Sequence, residues 1–284
     1  MPAPRVLCVA GTDPSGGAGL LADLKSVAAN GGYGMGAVTA LTAQNTRGVR
    51  GVHVPPAAFV AEQLYAVSDD IEIDAVKIGM LGTADVAATV GEWLSAVRPP
   101  VVVLDPVMVA TSGDRLLDPD AEAAVQALFD RVHLVTPNGP ELAVLARAEP
   151  ARSHDELEQQ ALSVSARHGV LVLAKGGHLA GEAATDLLVD AAAALGGGRS
   201  VVEFAAPRLA TTNTHGTGCA LSSALATLRP QVADWEAATA RAKRWLTEAI
   251  RHGAELEVGG GHGPVSHFAE LWPHLPALPP LSRN

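Results

Sequence analysis

The 284-residue sequence predicts a single α/β domain, in which a mostly parallel central sheet is covered by helices on both faces and carries a small β extension. Two observations predict this fold class. Short apolar runs alternate with longer amphipathic segments, as in consecutive right-handed βαβ units. The apolar runs are also nearly continuous, as expected of strands that are buried on both faces. No repeat or linker divides the chain, so residues 1–284 are expected to form one domain, with 272–284 as a loosely ordered tail.

The apolar runs and the segments between them give the predicted elements in order. Five runs are predicted to be the parallel strands: Arg5–Ala10, Asp74–Gly79, Val101–Asp105, Val132–Thr136 and Val170–Lys175. Six helices are predicted between and after them: Ala18–Asn30, Pro56–Asp69, Thr83–Val97, Asp120–Phe129, Gly139–Ala146 and Ser153–His168. The pattern then changes to two paired strands and two long helices: Ala184–Asp190, Ser200–Pro207, Gly216–Leu228 and Trp235–His252.

Composition and charge exclude several classes of partner. The formal net charge is −10, whereas nucleic acids and anionic membranes bind basic surfaces, so we expect neither partner. Two cysteines do not make a disulfide framework, and neither a signal peptide nor a membrane-length apolar run is visible, so we expect a cytoplasmic location. Charged residues make up only 18% of the chain. This low share predicts that a second copy covers part of the surface, as in a homodimer.

A glycine-rich segment, NTHGTGCALSSAL, runs from Asn213 directly into an apolar helix. The helix start carries about half a positive charge and can bind an anion. The backbone amides that would face this anion hole belong to Gly216, Thr217, Gly218 and Cys219. An ordinary glycine-rich helix start is equally compatible with the pattern. The position also favours a thiolate, so we expect the pKa of Cys219 to fall below about 8.5.

A second segment, AGTDPSGGAGLLADLKS (Ala10–Ser26), follows the first predicted strand and opens a helix. It therefore lies at the carboxyl end of the sheet, where open α/β folds bind ligands. It is not a Walker A loop, because no Gly-Lys-Ser/Thr ends it, and Asp13-Pro14 interrupts the spacing of a dinucleotide fingerprint. Asp23 lies within two turns of the helix start, either facing a ligand or as a solvated carboxylate.

Oxygen-bearing side chains and one lysine follow further strands at the same edge of the sheet. In TPNGPE, Asn138 and Glu141 are three residues apart at a helix start. Oxygen ligands of this kind suit Mg²⁺, usually through water, but the spacing also fits a capping box, which the pattern alone favours. Asp105 ends a neighbouring strand and is a further carboxylate at this edge. Lys175 ends another strand beside two glycines, where it can face either phosphate or solvent.

The motifs, taken in order, resemble the hydroxymethylpyrimidine/phosphomethylpyrimidine kinases of the ribokinase-like superfamily. The ordered set covers the chain from Val6 to about Phe268 and reads AGTDPSGGAG, TALTAQNT, KIGML, LDPVM, SGD, TPNGPE, KGGH and NTHGTGC. The resemblance implies a ribokinase-like fold and a dimer. It also implies an enzyme of thiamine biosynthesis that uses ATP and Mg²⁺ to phosphorylate 4-amino-5-hydroxymethyl-2-methylpyrimidine and then its monophosphate.

The resemblance also implies roles for individual residues. Gln44 would read the pyrimidine through its side-chain amide, which can donate and accept hydrogen bonds at once. The rest of the substrate pocket would be lined by Gly11, Asp23, Met80 and Val107. The nucleotide would contact Lys175, Asn138 and Thr212, and the metal would lie near Glu141, Asp105 and Asn138. Catalysis would use the amides of Gly216, Thr217 and Gly218, with Cys219 taking the proton from the substrate hydroxyl.

Two alternative functions remain open. The first is a pyridoxal kinase, since related enzymes with HGTGC or HGAGC phosphorylate pyridoxal. Pyridoxal is also a flat heteroaromatic with a hydroxymethyl group. A ligand-binding protein without catalytic activity is less compatible with the intact set of Asp105, Asn138, Glu141 and Cys219. The chain also departs from the family at one position. The C-terminal motif of the family often reads GKGxGP, whereas Gly259–Pro264 reads GGGHGP, so that Gly260 stands in place of the usual lysine.

Overall fold

The structure is a computed structural model that describes residues 2–108 and 119–275, and it is built around one nine-stranded sheet. The strand order is β3-β2-β1-β4-β5-β6-β7-β8-β9. The strands are β1 (Arg5–Gly11), β2 (Tyr33–Asn45), β3 (Gly48–His53), β4 (Ala75–Ile78), β5 (Val102–Leu104), β6 (Leu134–Val135), β7 (Leu171–Ala174), β8 (Ala183–Val189) and β9 (Val201–Pro207).

The middle of the sheet is parallel and its two ends are antiparallel. Strands β2, β1, β4, β5, β6 and β7 pair in parallel. Strand β3 pairs antiparallel with β2, and β8 and β9 extend the other end of the sheet as antiparallel strands. The predicted α/β fold, with a mostly parallel sheet and a small β extension, is confirmed.

Helices cover both faces of the sheet. They are α1 (Gly19–Ala29), α2 (Ala57–Ser68), α3 (Ala84–Val97), α4 (Pro119–Gln126), α5 (Gly139–Ala146), α6 (His154–His168), α7 (Thr217–Leu228) and α8 (Trp235–Arg251). Successive residues of β1 alternate between two apolar clusters: Leu7 and Val9 belong to one, Val6 and Cys8 to the other. Because neighbouring side chains of a strand point to opposite faces, each face has its own core. No helix among the described residues has the length and apolarity needed to cross a bilayer.

Strands β2 and β3 were not among the predicted elements. Two glycines interrupt the apolar pattern of β2, and they let α1 pack directly against the strand. A Cβ at Gly34 would lie 2.9 Å from Leu24 Cδ2, and a Cβ at Gly36 would lie 2.9 Å from Leu20 Cδ1. Glycine in a strand often marks such a close approach, and it also weakens the strand signal.

The remaining predicted elements are present with shifted ends, as is usual for helix and strand termini. Helix α4 ends at Gln126 and a short 3-10 turn follows at Phe129–Arg131, where the sequence predicted one helix as far as Phe129. The predicted strand Val132–Thr136 is reduced to Leu134–Val135. The SGD motif at 112–114 and most of the predicted tail lie outside the described residues.

Candidate active site

A cavity of about 740 Å³ opens at the carboxyl ends of the parallel strands. Its walls come from the segments that follow β1, β4, β5, β6 and β7, from the start of α7, and from one face of α8. Twelve of the fourteen predicted site residues line it: Gly11, Gln44, Met80, Asp105, Val107, Asn138, Glu141, Lys175, Gly216, Thr217, Gly218 and Cys219. The structure therefore brings the predicted motifs together at one site, and Asp23 and Thr212 are the exceptions.

The start of α7 faces the charged end of this cavity. Gly216 precedes the helix with φ +79°, and a Cβ there would come within 1.9 Å of the Gly17 carbonyl oxygen, so glycine is required on both grounds. A Cβ at Gly218 would lie 3.2 Å from both Asp105 Oδ2 and Lys175 Nζ. The first turn of α7 thus lies beside a carboxylate and an ammonium group.

The thiol of Cys219 is less acidic than the sequence predicts. Burial raises its pKa to about 11; Lys77 opposes the rise, while the carboxylates of Asp23 and Asp105 add to it. A backbone amide from Gly19, at the start of α1, also favours the thiolate. The prediction of a lowered pKa is therefore wrong, because burial and the neighbouring carboxylates outweigh the helix start.

Asp23 does not line the cavity, contrary to the prediction for it. It is fully buried behind Lys77, whose ammonium group donates to both carboxylate oxygens of Asp23 at 2.7 and 2.8 Å. Ser223 Oγ donates a further hydrogen bond to Asp23 Oδ1 at 2.8 Å. Lys77 lines the cavity instead. Burial alone would lower the pKa of Lys77, but Asp23, Cys219 and Asp105 together outweigh burial and raise it, so Lys77 is a cation.

Gln44, Gly11 and Met80 are uncharged residues of the cavity wall. Gln44 lies at a bulge in β2, and its Oε1 atom accepts a long hydrogen bond of 3.3 Å from Thr42 Oγ1. Its amide nitrogen has no acceptor among the described residues, so it is available to a ligand. A Cβ at Gly11 would come within 2.5 Å of Met80 Cε, so only glycine lets Met80 occupy this wall.

Asp105 and Lys175 form an ion pair in the charged half of the cavity. Asp105 Oδ1 accepts hydrogen bonds of 2.9 Å from both Thr136 Oγ1 and Lys175 Nζ. Burial opposes charge on Lys175, but Asp105 and Glu141 outweigh it and raise the pKa of Lys175. Asp105 Oδ2 accepts no hydrogen bond from the described residues, so a carboxylate oxygen is available to a metal or to water.

Asn138 and Glu141 form the capping box that their spacing suggested. Asn138 Oδ1 accepts from the Glu141 amide at 2.9 Å, and Glu141 Oε2 accepts from the Asn138 amide at 2.8 Å. Glu141 nevertheless lines the cavity. Burial raises its pKa to about 7; Lys175 opposes the rise and Asp105 adds to it.

The side-chain oxygens available in the cavity suit Mg²⁺ that keeps some of its waters. They do not form a site in which protein ligands alone would hold a metal. The described residues contain no group of three His, Cys, Asp or Glu side chains arranged to bind a metal directly. The candidates are Asp105 Oδ2, Glu141 and Asn138, which suit a hard cation that keeps several waters and contacts phosphate oxygens.

Thr212 does not line the cavity, although the family resemblance implied that it contacts the nucleotide. Its side chain is exposed, and its carbonyl accepts from the Thr214 amide at 3.1 Å in a tight turn. Thr211 and Thr214 line the cavity on either side of it. The turn directs alternate side chains away from the site, which residue spacing alone could not show.

The structure adds one ion pair and one histidine–carboxylate hydrogen bond that the sequence did not predict. Lys243 Nζ on α8 lies 2.6 Å from Asp186 Oδ2 on β8, and His215 Nε2 lies 2.7 Å from Asp13 Oδ2. All four residues line the cavity. His215 and Asp13 belong to motifs that were recognised, but 202 residues separate them and only the fold brings them together.

The guanidinium group of Arg47 lies next to Gly260, in space that a side chain at position 260 would need. A Cβ at Gly260 would be 2.9 Å from Arg47 Nη2. The surrounding loop is tied to the β2–β3 turn, because the amides of Gly261 and His262 donate to Thr46 Oγ1 and to the Thr46 carbonyl at 3.2 and 3.0 Å. The position of the family's usual lysine thus lies beside an arginine of this chain.

Comparisons with known proteins agree with this geometry. The family described as Phosphomethylpyrimidine kinase matches residues 13–266. The hydroxymethylpyrimidine/phosphomethylpyrimidine kinase of Escherichia coli is 48% identical over 269 residues, which are 94% of this chain and 98% of that protein. The thiamine biosynthesis multifunctional protein ThiED of Corynebacterium efficiens is 52% identical over 283 residues, which cover 96% of this chain. The match spans only 38% of that longer relative.

A solved structure gives the same result for the fold. The pyridoxal kinase from Staphylococcus aureus in complex with AMP-PCP superposes with a TM-score of 0.85 at 28% identity, covering 96% of each chain. The match to the family extends over nearly all of the described sheet and its helices. The chain therefore belongs to the phosphomethylpyrimidine kinase family and has its ribokinase-like fold.

Proposed function

We propose that this chain uses ATP and Mg²⁺ to phosphorylate 4-amino-5-hydroxymethyl-2-methylpyrimidine and then to convert the monophosphate to the diphosphate, in thiamine biosynthesis. The observation that carries the proposal is the position of the α7 start within one cavity. Gln44 and Met80 line one part of this cavity, and Lys175 and Asp105 line the charged part next to Gly218. An acceptor and a phosphoryl donor can therefore meet beside Cys219.

The residues have separate tasks in this proposal. Gln44 reads the pyrimidine with its free amide nitrogen and its carbonyl oxygen. Lys175 and the amides from Gly216 to Cys219 bind the phosphates of ATP, where negative charge moves during transfer. Lys243 adds a further ammonium group to the same cavity. Asp105 and Glu141 would hold Mg²⁺, which would neutralise charge on the phosphates when bound.

The two phosphorylations place different demands on Cys219. The first acceptor is an alcohol, and the thiolate form of Cys219 takes its proton as the oxygen bonds to the γ-phosphorus and ADP leaves. Because burial raises the pKa of Cys219 to about 11, this thiolate is a minor species at neutral pH. A positioned base contributes about 10²–10⁴-fold to such a step. The second acceptor is a phosphate monoester with a second pKa of about 6, which is already an anion at neutral pH. For that step the amides and the lysines matter more than the base.

We also infer a cytoplasmic homodimer with small-molecule ligands and no nucleic-acid or membrane partner. The low share of charged residues and the net charge of −10 support this inference. Large apolar side chains are exposed on neighbouring elements of one end of the sheet: Leu41 on β2, Val52 on β3, and Phe59 and Tyr65 on α2. A second copy of the chain would remove them from water.

Pyridoxal is the second candidate substrate, and the likeness to the Staphylococcus aureus pyridoxal kinase favours it. Turnover with the hydroxymethylpyrimidine, its monophosphate and pyridoxal, measured under one set of ATP and Mg²⁺ concentrations, decides between the candidates. We expect the highest kcat/KM on the two pyrimidines. A higher kcat/KM on pyridoxal would replace the proposal, and no ATP consumption with any of the three would show that the protein only binds ligands.

A further inference from the structure

Asp13 uses both of its carboxylate oxygens to organise the loop before α1. Its Oδ1 atom accepts from the amide and the hydroxyl of Ser15 at 2.9 and 2.7 Å. Its Oδ2 atom accepts from the Ala18 amide at 2.9 Å and is 2.7 Å from His215 Nε2. Burial opposes the charge, but the hydrogen bonds from His215 and Ser15 outweigh it and lower the pKa of Asp13. Asp13 is therefore a carboxylate, and His215 donates to it through Nε2.

The two loops that this pair joins touch so closely that side chains are excluded. A Cβ at Gly17 would lie 2.4 Å from His215 Cδ2, and a Cβ at Gly216 would lie 1.9 Å from the Gly17 carbonyl oxygen. His215 also contacts the C-terminal loop, Gly259–Pro264, because its amide donates to the Gly263 carbonyl at 3.1 Å. His215, which precedes the anion-hole amides, is thus held both by the loop before α1 and by the loop after α8.

The groups next to this junction are the ones that the proposed chemistry uses. Gly19, the first residue of α1, lines the same cavity as Cys219, and its backbone amide opposes the rise in the pKa of that thiol. Gly216 begins the run of amides that would bind phosphate. The positions of both groups are set by loops that meet at Asp13 and His215. A hydrogen bond fixes the relative orientation of two side chains as well as their separation. An apolar pair of equal volume fixes only their separation, although the folded protein is often as stable with it.

We propose that Asp13 and His215 are positioning residues, which hold the Gly19 amide, the Cys219 thiol and the anion-hole amides in register for phosphoryl transfer. Neither residue takes part in the chemical step. The pair acts through the geometry of the α1 and α7 starts, so both phosphorylations require it, unlike the thiol of Cys219. This inference rests on the kinase activity proposed above, and a displacement of about 1 Å in such a site is expected to cost on the order of 10²-fold in rate.

Three variants separate positioning from simple packing. His215→Leu keeps bulk and removes the donor, His215→Gln restores a donor nitrogen, and Asp13→Asn keeps shape and removes the charge. We expect His215→Leu to lower kcat at least about tenfold on both the alcohol and the monophosphate, with a much smaller change in the KM for ATP. His215→Gln should recover most of the rate. Asp13→Asn combined with His215→Leu should lose little more than either change alone, because contacting residues are not additive.

Hydrogen–deuterium exchange tests the same inference without turnover. Amides in the 213–220 segment should exchange faster in His215→Leu than in Arg5→Met, a control that breaks the Arg5–Asp74 ion pair at the opposite end of β1. Unchanged kcat and unchanged exchange in a folded His215→Leu variant would overturn the proposal, and so would a loss confined to the KM for the pyrimidine. If wild-type protein does not phosphorylate the pyrimidine, the proposed function fails, and the exchange comparison still decides whether the pair positions the loops.

Discussion

Lys77 and Asp23 form a bidentate ion pair that is closed off from solvent, with Nζ 2.7 and 2.8 Å from the two carboxylate oxygens. Ser223, which also donates to Asp23, lies four residues after Cys219 on α7. Residues four apart share a helix face, so the ion pair lies on the same side of α7 as the thiol. The charge of Lys77 therefore limits how far burial raises the pKa of Cys219.

Lys77→Met should destabilise the fold strongly, because it leaves the Asp23 carboxylate buried without its partner. Breaking one side of a buried pair costs about 3–5 kcal/mol, whereas replacing both sides with apolar residues is often neutral. We therefore expect the double variant Lys77→Met/Asp23→Leu to recover much of the loss. The free energy of unfolding in urea measures both, and equal losses in the single and double variants would contradict this account.

Cys219→Ala should separate the two phosphorylations. The variant removes the thiol and keeps the backbone amide, so the alcohol should lose most of the about 10²–10⁴-fold that a base contributes, and the monophosphate much less. Single-turnover rates measured on each acceptor test this. Equal losses on both acceptors would mean that Cys219 positions the ligand or supports the loop.

The Mg²⁺ requirement should depend on pH through Glu141. Burial raises the pKa of this carboxyl to about 7, so protons compete with the metal as the pH falls from 8 to 6. The Mg²⁺ concentration for half-maximal activity should rise across that range, since Mg²⁺ prefers carboxylate oxygen. Glu141→Gln keeps an acceptor for the Asn138 amide. At every pH it should need about as much Mg²⁺ as the wild type needs near pH 6, without the change near pH 7. A lowered melting temperature with normal Mg²⁺ dependence would leave Glu141 only its capping role.

Gln44→Ala should raise the KM for the pyrimidine far more than that for ATP. Leaving the polar partner groups unpaired costs about 1–3 kcal/mol, which corresponds to roughly 5- to 150-fold. Steady-state titrations of each substrate at a saturating level of the other provide the comparison. Parallel changes in the two constants would remove Gln44 as the residue that reads the pyrimidine.

Gly260→Lys should tighten ATP modestly, by about 0.2–1 kcal/mol, because it adds one partly screened charge. The new side chain must also displace Arg47, whose Nη2 atom lies 2.9 Å from the position of the added Cβ. Gly260→Ala is the matched control, since it displaces the arginine without adding charge. If the two variants have the same KM for ATP, the added lysine does not face phosphate.

The sequence predicted the sheet and helices where the pattern was regular. Buried strands such as β1 and long helices such as α8 have nearly continuous or clearly periodic apolar residues. Strand β2 was missed because Gly34 and Gly36 serve the packing of α1 rather than the strand itself. The apolar pattern of a segment reflects its own preference for strand or helix. In β2, a tertiary contact with α1 determined that glycine occupies these positions.

The candidate site was predictable as a set of motifs, but its electrostatics were not. Lys77 and Asp23 are 54 residues apart, and spacing along the chain could not show that the lysine would lie between the carboxylate and the cavity. The same burial that made this pair necessary also raised the pKa of Cys219, which a helix-start argument alone placed too low. Charges in the interior depend on neighbours that only the complete fold supplies.

The contact between the C-terminal loop and the rest of the site has a consequence for synthesis of the protein. The Gly263 carbonyl accepts from the His215 amide, and His262 donates to Thr46, so residues that follow α8 join the segments beside Cys219 and Gln44. Every residue that lines the cavity leaves the ribosome before these residues do. A nascent chain can therefore form its parallel sheet early, yet its cavity is closed only after residues 262 and 263 have left the ribosome.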